Sequence, residues 1–166
     1  MTERHDPTDK PGRRRAGALA LAIVICAPAE GLRQKAYYCP AGILTVCYGS
    51  TGAHVKKGVT YTIDQCKALL NADMLKAIDT VERCNPGLPA PVLAAFSDAV
   101  FNMGPTIACN RDKSTAARYL ATGNYRLACN QLVRWDRATV MGVSVKLPGL
   151  TTRRANEQAL CLTGAT

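Results

Sequence analysis

The sequence predicts an α+β fold in which a small β-hairpin lobe precedes a larger helical lobe, with an apolar helix ahead of both. Three observations carry this prediction. The run Ile43-Leu44-Thr45-Val46-Cys47-Tyr48, β-branched and aromatic, follows a Pro40/Gly42 turn and reads as a strand. Beyond it, apolar residues recur at helical spacing. Ahead of it, Ala16 to Ala29 carries no charge. One hairpin followed by many helices is a segregated arrangement of strands and helices.

Taken in order, residues 1–15 are polar, contain Pro and Gly, end in Arg13-Arg14-Arg15, and are expected to be disordered. Residues 16–29 form an apolar run behind those arginines, the pattern of an export segment whose basic end stays in the cytoplasm. The run falls short of the ~20 residues of a stable span and is rich in Ala and Gly, so it is a poor permanent anchor. Ala27-Pro28-Ala29 has the small-x-small form of a signal-peptidase site, which would make Glu30 the new N-terminus. Cleavage there would destroy the helix that positions Glu30. A buried first helix of the soluble domain is a further reading, with Pro28 kinking it by removing a backbone donor. Residues 30–166 form the remaining domain, and this length buries a core unaided.

Glu30 ends the apolar run, and Gly31 stops the helix. After the hairpin, 52–60 is a polar loop. Thr62 to Gln65 reads as a capping box that opens a helix with Cys66, Leu70, Met74, Ile78 and Val81 on one face, ending near Cys84. Pro91 starts the next helix, with Val92, Phe96, Ala99, Val100 and Met103 inward and Gly104-Pro105 closing it. A short helix runs from Ser114 to Leu120, closed by Gly123. Asn124 can cap another that carries Leu127, Leu132 and Trp135. Residues 137–150 are expected to be a loop, and a last helix from about Thr151 holds Leu160.

Composition bounds the partners. Aromatics make up only 5% of the chain, so the interior is aliphatic. The net charge of +9 calls for an anionic partner. Nucleic acid is disfavoured, because no basic helix with interleaved stacking aromatics is present. A bacterial envelope, rich in carboxylates and phosphates, fits. The 8 cysteines form no C-x2-C pair, which speaks against zinc and for disulfides in an exported protein. No metal or cofactor is expected. Cys47/Cys66, Cys84/Cys109 and Cys129/Cys161 form one of the connectivities that six cysteines permit, and that pairing leaves Cys26 and Cys39 over. Cys26 lies one helical turn before Glu30, on the same face.

The chemistry centres on Glu30. A carboxyl group at a helix end, facing the polar residues of a hairpin, gives a cleft a general acid on one wall and a second catalytic group on the other. Partial shielding from water favours the proton-bearing form of such a group, and a nearby arginine opposes that preference.

The spelling from Glu30-Gly31 through Ala36-Tyr37, Gly42 and Thr45 to Tyr48-Gly49-Ser50-Thr51 resembles the phage T4-type lysozyme family. The resemblance extends from about residue 29 to the C-terminus and implies a lysozyme-like fold. By position, the family's catalytic Glu falls on Glu30 and its catalytic Thr on Thr45. Its Asp falls on Cys39, a departure shared with a subset of signal-anchor-release endolysins. Phe101-Asn102-Met103-Gly104 resembles the segment lining the saccharide cleft, which makes Phe101 and Asn102 substrate-binding candidates. In Leu150-Thr-Thr-Arg153-Arg154, Arg154 aligns with the arginine that pairs with the catalytic Glu.

The resemblance implies a muramidase that hydrolyses the β-1,4 bond between N-acetylmuramic acid and N-acetylglucosamine and so lyses the host. In it Glu30 is the acid, Thr45 positions water or a sugar hydroxyl, and Cys39 is the base or nucleophile, or else half of a disulfide. It implies an uncleaved N-terminal segment that exports the enzyme, tethers it to the inner membrane, and releases it as a monomer into the periplasm to meet peptidoglycan glycan strands. A lytic transglycosylase, which needs only the acid, and a non-catalytic cationic wall-binding or membrane-active protein are the other readings.

Overall fold

The structure, a computed structural model, describes residues 11–39 and 42–166. The expected disorder of residues 1–10 and the Pro40 part of the predicted turn lie outside the described residues. The first element is helix α1 (Pro11–Glu30), followed by β1 (Arg33–Tyr38), β2 (Leu44–Cys47) and β3 (Ser50–Thr51). Helices α2 (Ile63–Cys84), α3 (Ala90–Met103), α4 (Thr106–Cys109), α5 (Thr115–Ala121) and α6 (Tyr125–Cys129) come next, then a 3₁₀ turn (Leu132–Arg134). Strands β4 (Arg137–Val140) and β5 (Val143–Lys146) precede the last helix, α7 (Pro148–Thr163). The predicted α+β architecture is what is observed.

Strands β1, β2 and β3 form one antiparallel sheet in sequence order, with Tyr37 opposite Thr45 and Thr45 opposite Thr51. Helix α3 is the axis of the helical lobe. Every residue from Val92 to Val100 is buried, as expected of a helix surrounded on all sides. Helices α1, α2 and α7 pack around it. Helix α2 opens with the predicted capping box, Thr62 accepting from the Gln65 amide and Gln65 from the Thr62 amide. Its buried stripe includes Cys66, Leu70, Met74, Ile78 and Val81, so the sequence periodicity located the core face correctly.

Helix α1 buries Ala18, Ala22 and Cys26 completely. At four-residue spacing these fall on one face, and their small size lets α1 lie close against α3. The helix begins at Pro11, so the expected disorder is wrong for residues 11–15. Arg14 donates to the Leu88 carbonyl at 2.7 Å and to Glu82 at 2.5 Å. Arg15 pairs with both Glu82 and Asp79. Local polarity suggested disorder because the partner carboxylates lie far along the chain, on α2. Among the described residues, no helix is long and apolar enough to cross a membrane.

Other differences lie in the C-terminal half. The expected 137–150 loop is a hairpin, β4–β5, turned by Met141 and Gly142, which both have positive φ (49° and 80°). That is the requirement of a tight primed turn. Helix α7 therefore starts at Pro148, with proline in its first turn. Asn124 occupies a cap position but makes no side-chain cap, and the expected long helix after it stops at Cys129, with Leu127 exposed. Three disulfides staple the lobes: Cys47–Cys66 joins β2 to α2, Cys84–Cys109 joins α2 to α4, and Cys129–Cys161 joins α6 to α7.

Candidate active site

Glu30 is the last residue of α1. Gly31 follows with φ 69°, a left-handed conformation that ends the helix there. The carboxylate lies at the wall of a cavity of about 480 Å³. Tyr48, Gly49 and Thr51 of the hairpin line one side of it, Asp73, Lys76, Ala77 and Thr80 of α2 another, and Val100, Phe101 and Asn102 the floor. A Cβ added at Gly49 would lie 3.6 Å from Glu30 Oε2. Glycine there keeps the hairpin close to the carboxylate while leaving Oε2 uncovered.

The other carboxylate oxygen is held. Arg153 Nη1 donates to Glu30 Oε1 at 2.5 Å. The same guanidinium donates from Nε and Nη2 to the two oxygens of Asp98, at 2.9 and 2.7 Å. It also reaches the Cys26 sulfur, 3.6 Å away. Asp98 is fully buried on α3, and this two-pronged pairing fixes the plane of the guanidinium and therefore the direction from which it meets Glu30. The Glu30 side chain itself remains 21% exposed, accessible from the cavity.

The expected pairing of Arg154 with Glu30 is thus corrected: Arg153 makes it. Arg154 is fully buried and turns the other way, to Glu157 Oε1 at 2.5 Å, Asn102 Oδ1 at 3.3 Å and the Met103 sulfur at 3.1 Å. Successive residues on a helix point about 100° apart, so the choice between two adjacent arginines depends on how α7 is rotated against α3. Arg154 still bears on the site indirectly, because it holds the cavity-lining Asn102.

Of the other expected site residues, Phe101 and Asn102 line the cavity with Glu30. Thr45 and Cys39 do not contribute to its lining. Thr45 is buried in β2, its hydroxyl donating to the Ile43 carbonyl at 2.9 Å. Cys39 is half-buried and stands outside the three disulfides. Its amide donates to the Ile43 carbonyl at 3.0 Å, and its carbonyl accepts from the Gly42 amide at 2.8 Å. Asp98 and Glu157 were missed in the sequence reading. A single carboxylate within Val92–Phe101 was the available signal, since an acid on an otherwise apolar face needs a buried cation.

The phage lysozyme family profile matches residues 27–157. A SAR-endolysin of bacteriophage PS119 is 39% identical over 158 residues, covering 89% of each chain. Among solved structures, the active form of the P1 phage endolysin Lyz superposes with a TM-score of 0.75 at 28% identity, covering 88% of this chain and 85% of that one. The secreted inactive form of the same endolysin gives 0.56 at 27% identity, covering 88% and 96%.

The buried acids differ in protonation. Burial, reinforced by the neighbouring Asp98 carboxylate, pushes Glu157 up from its ordinary 4.5 to about 10, against the pull of Arg154 and Arg153. Burial acts on Asp98 in the same direction, but hydrogen bonds from Arg153 and Glu157 outweigh it and hold Asp98 below the ordinary carboxylate range. Folding therefore binds a proton at Glu157 between about pH 4.5 and 10, so its contribution is fullest below that window and falls as pH rises through it. Asp98 contributes in the opposite sense, at full strength above its unfolded value and lost as acid protonates it in the fold. Glu157→Gln should flatten the fall in stability between about pH 5 and 9, read from urea unfolding midpoints. Asp98→Asn should cost about 3 kcal/mol at neutral pH, because Arg153 is left short of a buried partner. A Glu157→Gln protein with the wild-type pH slope would mean that Glu157 is ionised in the fold.

Proposed function

The chain belongs to the phage lysozyme family and is a lysozyme-type glycoside hydrolase, an endolysin; from that premise we propose that Glu30 is its general acid in cleaving the β-1,4 bond from N-acetylmuramic acid to N-acetylglucosamine in peptidoglycan. The observation that carries this reading is the divided carboxylate. One oxygen is tied to Arg153, and the other faces Gly49 and the cavity. Such a group presents one oxygen to a glycosidic leaving group in a fixed orientation, as proton donation requires. Phe101 and Asn102 on the floor are suited to a sugar ring, one by apolar contact and one by hydrogen bonding.

Cys39 and Thr45 are the second part of the proposal. They belong to the hairpin opposite Glu30 and are linked through Ile43, whose carbonyl accepts from both. A thiolate at Cys39 would serve as base or nucleophile, with Thr45 ordering the attacking water or a sugar hydroxyl. This role rests on the match of Cys39 to the family's Asp position.

The N-terminal segment is the third part. Residues 11–30 form one helix whose last residue is Glu30 and whose Cys26 touches the arginine that holds it. Removing that helix would remove the mounting of the acid, which supports export without cleavage. The described arrangement, with α1 packed into the lobe, also lies nearer the active than the secreted inactive form of the P1 endolysin by TM-score. We infer that the segment sits weakly in the inner membrane during export, then leaves it and packs as α1, and that the enzyme works as a monomer in the periplasm.

Glu30→Gln should lower glycan cleavage by about 100- to 10,000-fold with the fold retained, and the wild-type product should carry a free reducing end. Near-wild-type cleavage by that variant would remove Glu30 from the mechanism, and anhydro ends would mark a transglycosylase. Cys39→Ser should cripple lysis while Cys39→Asp retains much of it. Equal, near-wild-type rates for both would leave Cys39 without a chemical role. N-terminal sequencing of the exported protein should recover residues ahead of Ala16, and a start at Glu30 would refute the uncleaved segment.

A further inference from the structure

From Gly31, just after α1, to Ile63, where α2 begins, the chain contains no Asp or Glu. This stretch carries Arg33, Lys35, Lys56 and Lys57, while all 12 acids of the chain lie outside it. Each of these cations is exposed, and among the described residues none is paired with a carboxylate. Two of them rest on rings instead. The Arg33 guanidinium lies 4.5 Å from the centre of the Tyr37 ring, and the Lys57 ammonium 5.7 Å from that of Tyr38. A ring face holds a cation without neutralising it, so the charge of the small lobe is left for a partner.

Large apolar side chains are exposed among the same residues. Leu32, Tyr38, Ile43 and Val59 are 40%, 59%, 52% and 40% exposed. They gather on β1 and the two segments that flank it. On one side the Cys39 amide donates to the Ile43 carbonyl at 3.0 Å, and on the other the Ala36 amide donates to the Val59 carbonyl at 3.4 Å. None of these cations or apolar residues lines the cavity beside Glu30. An anionic polysaccharide would be met by charge and hydrogen-bonding groups, with no use for exposed Leu, Ile and Val. Cations interspersed with aliphatic and tyrosine side chains match the headgroup boundary of an anionic bilayer, where phosphates meet the first acyl carbons.

Resting on the export reading above, we propose that the small lobe docks the folded enzyme on anionic phospholipid, with β1 and its flanking segments at the headgroups. The surface is distinct from the apolar segment that crosses or leaves the membrane, because it belongs to the lobe that follows α1 and is exposed while α1 is packed away. β1 begins at Arg33, directly after α1, so the surface stands beside the bilayer when α1 departs from it. Docking there keeps the released enzyme at the membrane face of the wall, while the cavity stays open to glycan.

The test mixes the purified full chain with phosphatidylcholine vesicles, with and without phosphatidylglycerol, at low and high salt, and reads the bound fraction by sedimentation. Wild type should bind the phosphatidylglycerol vesicles far better than pure phosphatidylcholine and should come off at high salt. Replacing Lys35 and Lys57 together (Lys35→Gln with Lys57→Gln) should weaken that binding about 25-fold, about fivefold for each cation. Arginine at both positions should retain it, and Tyr38→Ser should weaken it. The double glutamine variant should cleave soluble glycan strands at the wild-type rate, which shows that its fold is intact. Binding that survives high salt and is unchanged in that variant would belong to α1 inserting alone. Such a result overturns the proposal and supports the tethering reading. Equal wild-type binding to both vesicles, or none to either, also overturns it and leaves the lysozyme reading untouched. A variant that loses isolated peptidoglycan but keeps the vesicles would make this a wall-binding surface, and the proposal falls.

Discussion

The contact on which the site depends is the grip of Arg153 on Asp98 and Glu30 together. One guanidinium uses two donors to hold a buried carboxylate of α3 and a third to hold the carboxylate at the end of α1. It thereby joins three helices at the wall of the cavity. Neither carboxylate could hold this position alone. Asp98 would be an unpaired charge in the core, and Glu30 would swing freely at a helix end. Taking such ions out of water is costly, and the geometry is favourable only because all three are present.

The same desolvation logic explains the second layer. Arg154 and Glu157 are fully buried and paired with each other, and Arg154 also reaches Asn102 on the cavity floor. Two arginines and two acids in so small a volume interact too strongly to titrate independently. The cluster settles with Asp98 holding the charge and Glu157 holding a proton. The proton reduces the number of like charges that must share the interior. Rigidity at Glu30 is thus inherited from the core, while the cavity itself remains polar and open.

Helix α1 gives this arrangement its unusual economy. Its small residues, Ala18, Ala22 and Cys26, bury without bulk, and its basic start is held by Glu82 and Asp79 on α2. A segment so poor in large apolar side chains contributes little hydrophobic energy of its own. Its docking relies on close approach and on ion pairs at both ends. The disulfides compensate elsewhere, fastening the hairpin to α2 and the late helices to one another.

Local signals were sufficient wherever the structure is decided locally. The capping box at Thr62, the stripe from Cys66 to Val81, the proline start of α3 and the stop at Gly31 are properties of neighbouring residues, and each was readable along the chain. Glu30 was legible for the same reason, since its place at a helix end beside a hairpin is written in adjacent residues. The β4–β5 hairpin was not, because its strands are short and largely exposed and leave little periodicity to read. Which of Arg153 and Arg154 meets Glu30 depended on the rotation of α7 over α3. The helical order of Arg14 and Arg15 depended on carboxylates more than sixty residues away. The sequence by itself determined the fold class, the core faces and the place of Glu30 at the end of its helix, because backbone geometry and burial periodicity act over a few residues. The tertiary structure alone decided the partners of the buried charges, because desolvated ions choose by distance in space, and that distance exists only once the helices have packed.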